Sequence, residues 1–217
     1  MIAIIDYGMG NLRSVAKALE AVGATDVRIT SDPGIISQAD KIVLPGVGAI
    51  KEAMRELRRL RLIKVIKDNI LKKPFLGICL GLQLLFSESE EGGKVKGLGI
   101  FPGKVKRFPD KLKVPHMGWN QIKIKNQKSP AKAGSRRMLS NRREKVKILK
   151  NTTDNAYFYF CHSYYVTPKD KRLIAATTDY GREFVSAIAR DNLFACQFHP
   201  EKSQKAGLAL LSNFVKL

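Results

Sequence analysis

The sequence lacks any run of about eighteen apolar residues, the length that a helix needs to cross a bilayer, so a membrane span is excluded. Its opening residues, MIAIIDYG, have no basic region ahead of a long apolar stretch and predict no secretory signal. Cysteine is scarce. Cys79, Cys161 and Cys196 are widely spaced and odd in number, which fits neither a disulfide framework nor a C-x-x-C metal pair. We therefore expect a reducing, cytoplasmic location.

Acidic residues are also scarce. The sequence has 19 Asp and Glu and 39 Lys and Arg, which gives a formal net charge of +20. Between Gln121 and Lys150 lie eleven basic residues and one acid, Glu144, so half of the net charge falls in this window. We interpret positions 126–150 as a basic loop, solvated from Lys128 to Lys147, because charge runs are usually exposed. A nucleic-acid-binding arm is the less favoured alternative, since the segment offers no aromatic side chain for base stacking.

The first half of the chain alternates short apolar runs with amphipathic segments, within a composition that is 44% hydrophobic. This pattern predicts strands at 2–6, 27–30, 41–44 and 75–79, and helices at 11–22, 49–71 and 80–86. Such an alternation is typical of a parallel sheet with helices on both faces. In these sheets the chemistry lies at the carboxyl ends of the strands.

The second half contains short β-type runs, which predict hairpins that extend the sheet. They lie at 99–108, 121–125, 156–166, 173–179, 185–190 and 193–198, and a helix over 201–217 closes the chain. No internal repeat or linker is visible, so we expect one domain over residues 1–217. The predicted fold class is α/β, with a mixed, mainly parallel sheet flanked by helices.

The segment Gly77-Ile78-Cys79-Leu80-Gly81 follows an apolar strand and precedes a helix. This is the context of a nucleophile elbow, in which glycines permit a tight turn that exposes the central side chain. The start of the following helix favours a thiolate and offers N–H groups to an oxyanion. A buried structural cysteine is the alternative, which the two glycines disfavour.

A thiol nucleophile needs a base and a group that orients the base. His199 ends an apolar strand, and Glu201 is close enough in sequence to hold its imidazole, which predicts a Cys79-His199-Glu201 triad. His162, at the end of an aromatic strand, is the competing base, but it has no acidic neighbour within three residues. His116 lies in a predicted loop.

Acyl transfer also needs an oxyanion hole. The glycine-rich turn after the third strand, Gly46, Val47 and Gly48, and the N–H group of Leu80 are the candidates. An ordinary strand-to-helix turn is the alternative for the first three. We predict neither a metal ion nor a cofactor.

The motifs IDYGMGNLRSV, LPGVGA, GICLGLQLLFSESEEG, PHMGWN, YFCHSYYV and QFHPEKSQ span nearly the whole chain. On these motifs the sequence resembles the triad-type (class I) glutamine amidotransferases, which share a flavodoxin-like fold. Within that class it most closely resembles the family of glutaminase subunits of imidazole glycerol phosphate synthase. The GxCxG and HPE motifs indicate the class, and DYGMGNL, PHMGWN and HSYYV indicate the narrower family.

The resemblance implies hydrolysis of glutamine to glutamate and ammonia. Cys79 would form a thioester with the side-chain acyl group, and His199, held by Glu201, would protonate the departing ammonia and then activate water. The matching family positions imply that the substrate pocket is formed by Gln83, Glu91, His162, Ser163 and Tyr164. His162 is then better explained as a pocket residue than as the catalytic base.

The resemblance also implies a heterodimer with a (β/α)8-barrel cyclase subunit that receives the ammonia through a channel. The products would be imidazole glycerol phosphate and an aminoimidazole carboxamide ribotide, in histidine biosynthesis. Met117, Trp119 and Asn120 match the interface loop, and Trp119 is the only tryptophan. A peptide of the oxyanion strand must reorient in this family, which implies allosteric activation by the partner.

The basic stretch between Ile124 and Tyr157 departs from the family pattern. It leaves open a paralogous glutaminase that feeds a different synthase, for example in amidinated sugar biosynthesis. An RNA-binding protein on an amidotransferase scaffold is a weaker alternative, because Cys79, His199 and Glu201 are all present.

Overall fold

The computed structural model describes residues 1–125 and 148–217. The predicted basic loop at 126–150 therefore lies almost wholly outside the described residues. Its last three positions form a turn in which Ile148 and Leu149 are buried.

Fourteen strands and six α-helices are found in the described part of the chain. The strands are β1 (Ile2–Ile5), β2 (Val27–Thr30), β3 (Lys41–Leu44), β4 (Phe75–Ile78), β5 (Phe86–Ser89), β6 (Val95–Lys96), β7 (Phe101–Arg107), β8 (His116–Gln121), β9 (Lys123–Ile124), β10 (Tyr157–His162), β11 (Tyr164–Pro168), β12 (Ile174–Asp179), β13 (Glu183–Arg190) and β14 (Leu193–Cys196). The helices are α1 (Leu12–Ala21), α2 (Pro33–Gln38), α3 (Ile50–Arg59), α4 (Leu62–Asn69), α5 (Leu80–Gln83) and α6 (Gln204–Val215).

Twelve of these strands form one sheet, in the order β2-β1-β3-β4-β14-β13-β11-β7-β5-β6, and β12 pairs with β13 and carries β9. The strands from β2 to β14 in this order run parallel, and β13 and β14 form an antiparallel hairpin. This confirms the predicted mixed sheet flanked by helices. The prediction that the run at 156–166 extends the sheet is wrong for its first part, β10, which pairs with β8 in a separate antiparallel ribbon. The loop predicted around His116 is also wrong, because His116 begins β8.

The central strands are buried on both faces, and their side chains alternate between two hydrophobic clusters. Ile5 on β1 packs in the cluster that contains Leu57 of α3. Ile4 faces the opposite way and shares a cluster with Leu19 of α1 and Leu211 of α6. The period of two along β1 thus places helices on both faces of the sheet.

The helix boundaries follow local chemistry at the start of the chain. The side chain of Asn11 accepts a hydrogen bond from the N–H of Ser14 and caps α1, as the sequence predicts. Helix α2 was not predicted. It begins at Pro33 after Asp32, whose carboxylate accepts hydrogen bonds from two N–H groups of the first turn.

Two helix predictions need correction. The single helix predicted at 49–71 is two helices, α3 and α4, because Arg61 adopts a φ of 58° and interrupts the helix between them. The helix predicted at 80–86 ends at Gln83, because Phe86 begins β5 and pairs with Phe101 of β7.

Candidate active site

The predicted site residues gather where three neighbouring parallel strands end. Strand β4 lies between β3 and β14, with Leu44 and Cys196 registered against Gly77 and Ile78. Their carboxyl ends therefore meet at one edge of the sheet, which is where the sequence places the chemistry. A cavity at this edge is lined by Val47, Gly48, Cys79, Leu80, Gln83, Glu91, His162, Ser163, Tyr164 and His199, among others.

Cys79 occupies a strained turn between β4 and α5. Its φ is 54° and its ψ is −106°, a backbone conformation that residues other than glycine rarely adopt. The neighbouring glycine is needed for space, since a Cβ at Gly81 would lie 1.9 Å from the carbonyl oxygen of Leu44. Cys79 is thus the strained residue of the turn, and a strained turn between a strand and a helix is the geometry of a nucleophile elbow.

His199 and Glu201 form a buried pair beside Cys79. The Nδ1 atom of His199 lies 2.8 Å from Oε1 of Glu201, and both side chains are almost fully buried. Burial by itself would lower the pKa of His199, but hydrogen bonds and charge from Cys79 and Glu201 outweigh burial and raise this pKa to about 10. The carboxylate thus reaches the imidazole as the spacing predicts, and the arrangement favours an imidazolium.

The backbone of His199 is fixed to the ribbon of β8 and β10. Its N–H donates to the carbonyl of Tyr159 over 2.9 Å. The hydroxyl of Ser203 donates to the carbonyl of His199 over 2.6 Å and accepts from the N–H of Tyr159 over 3.0 Å. Strand β10 therefore sets the position of the imidazole.

The predicted oxyanion segment presents a carbonyl toward Leu80. The N–H of Leu80 donates to the oxygen of Gly46 over 3.3 Å. Beyond it, Gly48 has a φ of 90° and Val47 is 43% exposed. The N–H that was predicted to bind an oxyanion is therefore already bonded within the protein.

Tyr7, which sequence reasoning did not single out, lies beneath this segment. Its hydroxyl donates to the carbonyl of Pro45 over 2.9 Å, and a Cβ at Gly46 would lie 2.1 Å from that hydroxyl oxygen. Burial, and then the nearby Cys79, raise the pKa of Tyr7. The available signal was its position two residues after the end of β1, because the carboxyl ends of parallel strands hold the chemistry in such sheets.

The predicted pocket residues make specific contacts. The amide nitrogen of Gln83 donates to the carbonyl of Tyr164 and to Oε1 of Gln197, both over 3.1 Å. One carboxylate oxygen of Glu91 accepts from the N–H of Ile50 over 2.9 Å, and burial raises the pKa of Glu91. Each side chain thus keeps one polar atom that these contacts do not use.

Gln197 belongs to the HPE-containing motif, but sequence reasoning gave it no role. It is fully buried, and its amide nitrogen lies 3.5 Å from the sulfur of Cys79. Its spacing of two from His199 was the available signal, because alternate residues of an extended chain face the same way. Lys202 also lines the cavity and was missed.

The three predicted interface residues are divided between the two faces of the ribbon. Met117 and Trp119 lie on its outer face, 60% and 46% exposed, beside the exposed Tyr157. The side chain of Asn120 lies on the inner face, where its nitrogen contacts a ring nitrogen of His116 at 3.2 Å. The outer face is therefore an apolar patch to which Asn120 does not contribute.

Neither a metal-binding cluster nor a membrane-spanning helix accompanies the triad in the described ranges. Among residues 1–125 and 148–217, no group of three or more His, Cys, Asp and Glu could hold a metal ion. No helix in these same ranges is both long and apolar enough to span a membrane.

Comparison with known proteins identifies the family. The model of the family "Glutamine amidotransferase class-I" matches residues 3–217. A solved "glutamine amidotransferase" structure aligns over 100% of both chains with a TM-score of 0.71 at 12% identity. A chain of PurLQS from Thermotoga maritima aligns over 99% of this chain and 97% of that chain, with a TM-score of 0.67 at 16% identity. The chain therefore belongs to the class-I glutamine amidotransferase family.

Similarity in sequence narrows this assignment. A relative from Acinetobacter baylyi is 52% identical and covers 99% of this chain and 97% of its own length. One from Aquifex aeolicus is 50% identical and covers 97% of this chain and 94% of its own length. Both are named imidazole glycerol phosphate synthase subunit HisH, and the chain belongs to their family within the class.

Proposed function

We propose that this protein is the glutaminase subunit of an imidazole glycerol phosphate synthase, acting in histidine biosynthesis. The observation that carries the proposal is the meeting of Cys79, His199 and Glu201 at one edge of the sheet. It is supported by relatives of that name at 52% and 50% identity over nearly the full chain. The proposal treats residues 1–217 as one amidotransferase domain and assigns the protein to the cytoplasm.

The triad supplies a route for amide hydrolysis. The sulfur of Cys79 attacks the side-chain amide carbon of glutamine, and the carbon–nitrogen bond breaks after His199 gives a proton to the leaving ammonia. The resulting thioester is attacked by water, which passes a proton to His199, and glutamate leaves as Cys79 is regenerated. Glu201 holds Nδ1 of His199, so that Nε2 is the atom that exchanges the proton.

The oxyanion segment explains why a partner would be needed. Leu80 can donate to a tetrahedral oxyanion only when its N–H is released from the carbonyl of Gly46. Rotation of the peptide between Gly46 and Val47 would remove that carbonyl and present the N–H of Val47 instead. We propose that binding of the cyclase drives this rotation, which amounts to allosteric activation.

Substrate binding is assigned to the polar lining of the same cavity. Gln83 and Glu91 each offer one side-chain oxygen to the polar groups of glutamine. Ser163 and Tyr164 line the cavity wall after β10, and His162 holds the carbonyl of Tyr164 at 2.8 Å. His162 is thus a pocket residue in this proposal, and His199 is the base.

The partner is proposed to be a (β/α)8-barrel cyclase that receives ammonia from the cavity. The apolar outer face of the ribbon, with Met117 and Trp119, is the surface proposed to contact it. Aromatic side chains of this kind are enriched in the centres of protein interfaces. Val47, which is exposed, would let the oxyanion segment respond to the same partner.

The experiment is a glutamine-turnover assay with and without the cyclase and its nucleotide substrate. We expect slow hydrolysis by the isolated chain and a strong rise in the complex, with ammonia incorporated into imidazole glycerol phosphate. Full activity without a partner would contradict the proposal. Activation only by the synthase of another pathway would favour a paralogous glutaminase.

A further inference from the structure

Two histidines that the triad does not use form a buried pair beside the cavity. Nδ1 of His116 lies 3.0 Å from Nε2 of His162, and both side chains are buried. Their rings pack among aromatic side chains, which are Phe108, Phe160, Tyr180 and Phe184.

The hydrogen-bond partners assign the tautomers of both rings. Nδ1 of His162 lies 2.8 Å from the carbonyl oxygen of Tyr164, which can only accept, so Nδ1 carries the proton. Nε2 of His162 must then accept from Nδ1 of His116. The remaining nitrogen of His116 accepts from the side-chain N–H of Asn120, at 3.2 Å. Both imidazoles are therefore neutral.

The chain of hydrogen bonds continues to the nucleophile. The carbonyl of Tyr164 also accepts from Gln83, whose second amide hydrogen is donated to Gln197. Gln197 in turn donates toward the sulfur of Cys79. Since two donors converge on the Tyr164 carbonyl, a proton cannot pass along the chain. These hydrogen bonds instead fix the position of each group relative to the next.

The consequence for Gln83 is a fixed amide orientation. Both of its hydrogens are used within the protein, so its oxygen is the atom left for a ligand. If the carbonyl of Tyr164 moved, Gln83 would lose one of the two acceptors that prevent its amide from turning over. His162 holds that carbonyl, and His116 holds His162.

We propose that His116 and His162 are positioning residues for glutamine binding, which act by fixing the Tyr164 carbonyl and, through it, the amide of Gln83. The inference rests on the proposed glutaminase function and deepens it. It also ties the glutamine pocket to Asn120 on the inner face of β8, within the ribbon whose outer face is proposed to contact the cyclase.

The test is steady-state glutamine hydrolysis by the complex of the full chain with its cyclase. His162→Phe keeps the aromatic packing and removes the donor to Tyr164. We expect it to raise the KM for glutamine about tenfold, equivalent to about 1.4 kcal/mol, with kcat changed much less. His162→Asn places an amide nitrogen near the position of Nδ1 and should recover most of the loss.

Phe184→Leu is the matched control, because Phe184 packs against both histidines and belongs to none of these hydrogen bonds. We expect its KM to stay at the unmodified value. An unchanged KM in His162→Phe, or an equal rise in Phe184→Leu, would overturn the inference. If His162→Phe does not fold, His116→Phe is assayed instead, and we expect the same rise in KM.

Calorimetric titration of glutamine into the Cys79→Ala chain, with and without His162→Phe, separates this inference from the proposed function. Weaker binding in the double variant supports the positioning role even if the cyclase does not activate the chain. Equal binding counts against it. Failure of the unmodified complex to hydrolyse glutamine would instead refute the proposed function.

Discussion

The backbone N–H of Leu80 donates a hydrogen bond of 3.3 Å to the carbonyl oxygen of Gly46. The donor that would stabilise an oxyanion is thus held by the segment that would supply the second donor. Tyr7 supports the same segment from below through the carbonyl of Pro45. The resting arrangement is therefore stabilised on both sides of the oxyanion segment.

Gly46→Ala tests this packing. The added Cβ would lie 2.1 Å from the hydroxyl oxygen of Tyr7 and 3.0 Å from Cβ of Leu80, so the segment must shift. We expect a loss of about 1–3 kcal/mol in the free energy of unfolding, typical of overpacking, and loss of glutamine hydrolysis. Denaturant unfolding and turnover in the complex are the measurements.

Tyr7→Phe provides the control for that variant, because it removes the hydroxyl oxygen that the new Cβ of Gly46→Ala would meet. The double variant should be less destabilised than the sum of the two single variants. Strict additivity would show that the clash with Tyr7 is not the cause.

Cys79→Ala should abolish ammonia release from glutamine in the complex, because no other thiol occupies the elbow. Synthesis of imidazole glycerol phosphate from added ammonium should survive, since the cyclase is untouched. Cys196→Ala is the comparison, because the Cys196 thiol is buried against the carbonyls of Gly77 and Phe198. It should lower stability and retain glutamine turnover. Residual glutamine turnover in Cys79→Ala would remove Cys79 from the role of nucleophile.

Trp119→Ala should weaken the complex with the cyclase. An aromatic anchor at an interface centre contributes about 2 kcal/mol or more, which corresponds to roughly a 30-fold rise in Kd. Leu71→Ala is the matched control, because Leu71 is an apolar side chain of similar exposure, 40% against 46%, outside the ribbon. Calorimetry gives both values of Kd, and equal effects would argue against the ribbon as the docking surface.

The pH dependence of stability should carry a contribution from His199. Burial would lower its pKa, but Cys79 and Glu201 raise it from 6.5 to about 10. A raised pKa stabilises the fold fully below pH 6.5, and this contribution is lost as the pH rises toward 10. The difference in unfolding free energy between the unmodified protein and His199→Asn should therefore shrink between pH 7 and 10. A constant difference would contradict the ion-pair account.

The buried histidine pair contributes with the opposite sign and in a more acidic range. Burial lowers the pKa of His116 to about 4 and that of His162 to about 3. The unfolded chain then binds more protons below pH 6.5, so stability falls as the solution is acidified toward pH 4. His162→Phe should lose part of this slope, and denaturant unfolding between pH 4 and 6.5 is the measurement.

Replacement of residues 128–147 by a short Gly/Ser linker should leave folding and Cys79 chemistry intact. The described flanks are held independently, since Asn213 donates to the carbonyls of Ile148 and Lys150, and β9 pairs with β12. Thermal unfolding and glutamine turnover are the measurements. Loss of cyclase binding, especially loss that depends on salt, would make the basic segment part of the interface instead.

The meeting of the candidate site residues was predictable from sequence, because they lie at strand ends within short motifs. Glycines around Cys79 and the spacing of His199 and Glu201 are local signals. The split of the predicted helix at 49–71 was not predictable, because helical periodicity continues across Arg61 and no glycine or proline marks its left-handed backbone.

Contacts between distant segments were also beyond the sequence. Gln197 meets Gln83 across 114 positions, and His162 meets His116 across 46. Neither partner can be inferred from local periodicity. The peptide between Gly46 and Val47 could turn either its carbonyl or its N–H toward Leu80. The two orientations differ by one backbone rotation, so no residue pattern specifies which is adopted.

The φ of 54° at Cys79 sets a limit on how this protein can be made more robust. A non-glycine residue held there costs of order 1–3 kcal/mol, which the surrounding packing must absorb. Relaxing the turn would raise thermal stability but displace the sulfur of the proposed nucleophile. Stability and glutamine turnover would therefore change in opposite directions at this residue. Engineering for heat tolerance should begin away from this turn, for example at the outermost strands of the sheet, β2 and β6.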